Sequence, residues 1–106
     1  MSIERRRDLR VAVRGAYAEL FLGPASVGLF MIGDVSDSGI FLMTPSPTIP
    51  GGTRVTARLE DGLVLHGMIV HVSTTGHTGY GIELDDPPYD TVERVAAPAR
   101  APAAVP

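Results

Sequence analysis

The sequence predicts an all-β fold: a six-stranded antiparallel β-barrel, preceded by a flexible basic N-terminal arm and followed by a short C-terminal helix. Three observations predict it. From Val11 onward the apolar residues are mostly β-branched, aromatic or leucine, and they come in short runs. Turn-forming residues cut those runs at close intervals. No long helical period separates the runs, and several short strands at such spacing indicate a barrel, which also removes the unpaired edges of a small sheet.

The elements follow in order. Residues 1–10 are polar and charged and read as the arm. Val11–Leu22 is the first strand, with a bend at Gly15, and Gly23-Pro24 closes it. Gly28–Val35 and Gly39–Thr44 are the second and third. The Pro- and Gly-rich stretch Pro45–Gly52 is a loop by composition. Arg54–Leu59 alternates, with Val55, Ala57 and Leu59 on one face and Arg54, Thr56 and Arg58 on the other. Asp61-Gly62 makes a tight turn into Leu63–Ser73, Thr74–Thr78 is another turn, and Gly79–Leu84 is the last strand. After Pro87-Pro88, Asp90–Ala97 reads as a short helix with Asp90 at its start. The domain therefore spans 11–97. Residues 98–106, mostly Pro and Ala, lack the apolar side chains to fold and read as a disordered tail.

Composition narrows the function. At 106 residues the chain holds one domain. It has no cysteine, which excludes a disulfide framework and a thiolate metal site. Arg5, Arg6 and Arg7 are not followed by an apolar run long enough for a signal peptide. Val11–Leu22 is broken by Arg14 and Glu19, so no membrane insertion and a cytoplasmic location are expected. The net charge of −3 hides an asymmetry: residues 1–14 carry five arginines against Glu4 and Asp8, a local +3, which leaves −6 on the rest. An acidic body with a basic arm points to a local demand for anions and not to a nucleic-acid-binding face. Low aromatic content, 6% with no Trp, also argues against a base-stacking single-strand binder.

Two motifs stand out. Arg6-Arg7-Asp8-Leu9-Arg10 is an RxxxR. Asp34-Val35-Ser36-Asp37-Ser38-Gly39 is a DxSxxG at the junction of two predicted strands. Taken alone, the first reads as a solvated terminus and the second as a turn held by side-chain-to-backbone bonds. Together, in this order and about one strand apart, they resemble the signature of PilZ domains. The closing Gly79-Tyr80-Gly81-Ile82-Glu83-Leu84 is similar to the last strand of that family, and the likeness covers roughly residues 4–95.

The resemblance implies a PilZ-like barrel, of bacterial origin, that binds the second messenger cyclic di-GMP, with Arg6 and Arg10 as anchors and Asp34, Ser36 and Gly39 as the facing surface. The chemistry of the residues permits each role. Arginine pairs with phosphate oxygens or guanine O6/N7 and stacks on bases. Asp34 accepts from the guanine N1–H and N2–H edge that arginine cannot read. Ser36 shares its face if the backbone is extended, and Gly39 keeps a Cβ out of the ligand's path. Arg5 has two equal readings, a contact to a phosphate or second ligand molecule and plain solvation. Arg7 faces away.

No enzymatic activity and no cofactor are expected. His66 and His71 sit at odd spacing on one predicted strand and so point to opposite faces, and His77 lies in a turn. That is no zinc ligand set, and no nucleophile–base pattern is present. The expected activity is that of a receptor whose arm closes on the ligand and relays the signal to an unidentified effector protein. Ordering six arm residues costs roughly 6–12 kcal/mol, while micromolar affinity is worth about 8 kcal/mol, so either the contacts are very good or the arm is partly ordered beforehand. Ligand stoichiometry and the choice of monomer or homodimer stay open. The alternative is an interaction module of the same type that works through protein contacts without nucleotide.

Overall fold

A computed structural model describes residues 10–87 and 90–100 of the chain. Seven strands and one helix are present among them: β1 (Val11–Ala12), β2 (Tyr17–Leu22), β3 (Ala25–Val35), β4 (Gly39–Met43), β5 (Arg54–Leu59), β6 (Val64–Ser73), β7 (Gly79–Leu84) and α1 (Thr91–Arg100). The sheet runs β1-β3-β2-β5-β6-β7-β4, and a further pairing of β3 with β4 closes β2–β7 into a six-stranded antiparallel barrel. β1 lies outside that closed ring.

The predicted first strand is present as two pieces. Val11 and Ala12 pair with Val35 and Asp34, and Tyr17–Leu22 pairs with the earlier part of β3. Between them the chain bends at Arg14-Gly15, where Gly15 has φ 78°, a backbone state that side-chain-bearing residues rarely adopt. Backbone bonds from Val13 to Gly33 and from Ile32 to Ala16 carry the pairing up to both sides of the bend. β3 begins at Ala25, earlier than the predicted Gly28, because Leu22 pairs with Ala25 across the two-residue Gly23-Pro24 turn. The Asp61-Gly62 turn forms as expected, with Asp61 Oδ1 accepting from the Leu63 N–H at 2.9 Å.

Inward positions fill the barrel. Leu20, Ile32, Val35, Ile40, Leu42 and Ile69 are fully buried, and the alternation of β5 puts Val55, Ala57 and Leu59 in the same core. α1 adds Val95 to it, and Arg94 reaches Asp61 at 3.3 Å. The helix continues three residues past the predicted end at Ala97. Composition marks Pro98 as the stop, but the helix runs through it to Arg100 at the loss of one backbone hydrogen bond, in a segment whose alanines favour helix. No helix among the described residues is long and apolar enough to cross a membrane.

Tyr80 anchors the longest loop. Its ring is buried, edge-on to Phe30 at 6.1 Å. Its hydroxyl accepts from the Thr48 N–H at 2.7 Å and the Ile49 N–H at 3.0 Å. The two lone pairs of one phenolic oxygen thus satisfy two backbone donors of the Pro-rich segment, and Ile49 packs on the core beside them. On the outer surface Glu19 lies opposite Arg58 in register and accepts from Ser26 Oγ at 2.7 Å and from Arg58 at 2.5 Å. These bonds, the one from Ser26 first, hold its carboxyl below the ordinary 4.5.

Two outcomes are expected. Tyr80→Phe leaves two donors without their acceptor, and chemical denaturation should show a loss of roughly 1–3 kcal/mol, with faster hydrogen exchange at Thr48 and Ile49. A depressed folded pKa stabilises the fold above pH 4.5 and loses that contribution as pH falls through the folded value. In a carboxyl NMR titration, Ser26→Ala should therefore move Glu19 up toward 4.5.

Candidate ligand-binding site

The β3–β4 hairpin carries the DxSxxG motif, and β1 brings the end of the arm to it. Val11 faces Val35 and packs on the core, so its neighbours on either side point outward. Ala12 lies opposite Asp34, which puts Arg10, Ala12 and Asp34 on one outer face. Arg10 donates from its guanidinium to Asp34 Oδ1 at 2.8 Å, joining the two motifs across 24 residues of sequence. The side chains are 53% and 32% exposed. An ion pair this open contributes about 0–1 kcal/mol, so a ligand can displace it at little cost. Arg5 and Arg6 lie outside the described residues.

Asp34 reaches this face because of a bulge. Ile32 pairs with Leu42 and Asp34 with Phe41, leaving Gly33 as the extra residue. Unbroken alternation from buried Ile32 would have turned Asp34 inward.

Of the two readings of Ser36 the structure shows the turn-holding one, and Gly39 has a second use besides lining the cleft beside Asp34. Ser36 is fully buried: the chain leaves the extended conformation after Val35, so Ser36 does not share the face of Asp34. Its N–H donates to the Gly39 carbonyl at 2.8 Å, and its Oγ lies 3.5 Å from the same oxygen. It holds the turn and does not line the cleft beside Asp34. Gly39 does line that cleft, but what its missing Cβ permits is the approach of β7: a Cβ there would sit 2.7 Å from the Ile82 carbonyl oxygen.

Two open clefts meet at this face. The first, of about 530 Å³, is lined by Arg10, Asp34, Gly39, His71 and Glu83 among others. The second, of about 560 Å³, lies beside Arg14, Met31, Met43 and His77. Asp34, Phe41 and His71 border both. His71 corrects the odd-spacing expectation. Ile69 pairs with Ile82 and His71 with Gly81, so Val70 is an unmatched residue in β6, and His66 and His71 are both exposed on the outside of the barrel. Among the described residues no group of three or more His, Asp or Glu side chains is placed to hold a metal ion.

Phe41, Met43 and Arg14 were not singled out in the sequence as site residues, and His71 was weighed only as a metal ligand or base. One signal was available. Gly39–Met43 reads Gly-Ile-Phe-Leu-Met, apolar on both faces, where a strand with one solvated face should alternate. Among the described residues, the first cleft sets two carboxylates against one guanidinium. An anion would need further positive charge there, and residues 1–9 carry three more arginines.

No protein-family model and no curated protein matches the chain.

The close approach at Gly39 makes a definite claim. Gly39→Ala should lower thermal stability through overpacking, by roughly 1–3 kcal/mol, as read from the unfolding midpoint.

Proposed function

We propose that the chain is a PilZ-type receptor for cyclic di-GMP, acting in the bacterial cytoplasm without chemistry of its own. The observation that carries the reading is the Arg10–Asp34 contact at 2.8 Å on the rim of the first cleft. Two motifs that are each unremarkable alone meet at one place, one supplying donors and the other an acceptor. A guanine offers both kinds of edge, O6/N7 to arginine and N1–H/N2–H to a carboxylate. The phosphates of the ligand call for the remaining arginines of the arm, Arg6 and with it Arg5.

The pairing of β1 with β3 bears on the cost of closure. Arg10 already stands beside Asp34, so its end of the arm is ordered before any ligand arrives. A residue already placed adds no ordering cost on binding, where ordering one costs roughly 1–2 kcal/mol. Signal output in this reading is the changed surface around the arm, offered to an effector protein.

One observation favours the alternative of a protein-interaction module without nucleotide. Val27, Leu29 and Met31 form an outward row on β3, with Leu29 68% exposed, and such rows occur where protein partners dock.

Calorimetry with cyclic di-GMP separates the two. Arg6→Ala, Arg10→Ala and Asp34→Ala should each weaken binding about tenfold or more, the worth of a charge-assisted hydrogen bond, with circular dichroism unchanged. Undiminished affinity in all three variants would sink the receptor reading, as would the absence of binding to the unmodified chain.

A further inference from the structure

Three large apolar side chains on the outside of the barrel have no core to pack on. Met31 on β3 is 40% exposed, and Phe41 and Met43 on β4 are half-buried. None of them belongs to the core cluster or to the hydrophobic residues packed against it. They are neighbours: Met31 lies opposite Met43 in register, and Phe41 is two residues along on the same face of β4.

The space beside them is the second cleft. Its volume of about 560 Å³ falls within the range of small-molecule sites. Gly33 keeps it open, since a Cβ there would sit 3.0 Å from Met43 Cγ. Polar groups are few and mostly donors or donor-capable: Arg14, His71, Ser73 and His77, with Asp34 at the boundary to the first cleft.

This lining selects a chemistry. Thioether sulfur and an aromatic ring both make favourable contacts with a flat π-system. A guanidinium pairs with the electronegative O6/N7 edge of a purine. An acyl chain would leave the donors unused, and a lone phosphate would leave the apolar wall unused.

We infer that the second cleft is the seat of a purine base, held against Met31, Phe41 and Met43, with Arg14 on its electronegative edge. The inference rests on the cyclic dinucleotide reading above and assigns one base of that ligand to residues outside both motifs. The two clefts share Asp34, Phe41 and His71, so a ligand with two bases spans them without leaving the surface.

Methionine methyl NMR tests it on the full chain. The sequence has four methionines, Met1, Met31, Met43 and Met68, and Met68 lines neither cleft. Methyl-labelled protein is titrated with cyclic di-GMP, alongside calorimetry on the same samples, with assignments from Met→Leu variants. A stacked purine shifts the Met31 and Met43 methyls upfield by its ring current, in step with the heat of binding, and leaves Met68 in place. Arg14→Ala should weaken binding about tenfold, as expected for one charge-assisted bond. Heat of binding with Met31 and Met43 unmoved overturns the purine seat and leaves the receptor reading standing. So does a shift of Met68 as large as theirs. Unchanged affinity in Arg14→Ala overturns its place on the base edge. No heat and no shift overturn the receptor reading and this inference with it.

Discussion

β3 forms backbone hydrogen bonds along both of its edges, with β1 and β2 on one side and β4 on the other. The second of these pairings is what turns a sheet into a ring. Without it, β3 and β4 would each present a row of unpaired backbone groups. The same pairing sets where every motif residue stands. Asp34 is placed by its partners Ala12 and Phe41, and Arg10 by the strand that begins one residue later. A one-residue slip would exchange inside for outside all along the strand. Closure of the barrel and assembly of the candidate site are therefore consequences of one register.

Most of the fold was legible because its signals are local. The limits of β5 and β7 follow from alternation and from glycine-bearing turns, and the bend in the first strand follows from Gly15. What was not legible depends on pairing across the sheet. Gly33 and Val70 look like ordinary strand residues in apolar runs, and only the partner strand shows that each is unmatched. The odd-spacing argument for His66 and His71 failed for that reason. Ser36 is a different case: a role on the face of Asp34 required an extended backbone, and the turn that begins there gives it the turn-holding role instead. On the site, the sequence brought forward the two ends of the Arg10–Asp34 contact. It passed over Phe41, Met43 and Arg14 and weighed His71 only as a metal ligand or base; these residues come together along the clefts only once the strands are side by side.

Tyr80 shows the economy of a barrel this small. One side chain fills core volume, meets Phe30 edge-on and satisfies two amides of a loop that proline makes poor in donors. The loop is thereby held to β7, the strand that also walls the first cleft through Ile82 and Glu83. Gly39 belongs to the same arrangement, since its close approach to Ile82 is what keeps the motif hairpin against β7.

The bulge at Gly33 has a consequence for how this surface can vary. On β3 the inward residues before it, Phe30 and Ile32, have even numbers, while the inward residue after it, Val35, has an odd one. From Gly28 onward the strand is thus written in two reading frames, one for the barrel and one for the site, with Gly33 as the junction. Substitution within either frame leaves the other intact. Deletion of Gly33 would remove only the unmatched residue, and alternation from Ile32 would still set Asp34 outward and Val35 inward. Variation at this site can proceed by exchange of side chains or by loss of the bulge residue, whereas an inserted residue that the bulge does not absorb would exchange inside for outside along one part of β3.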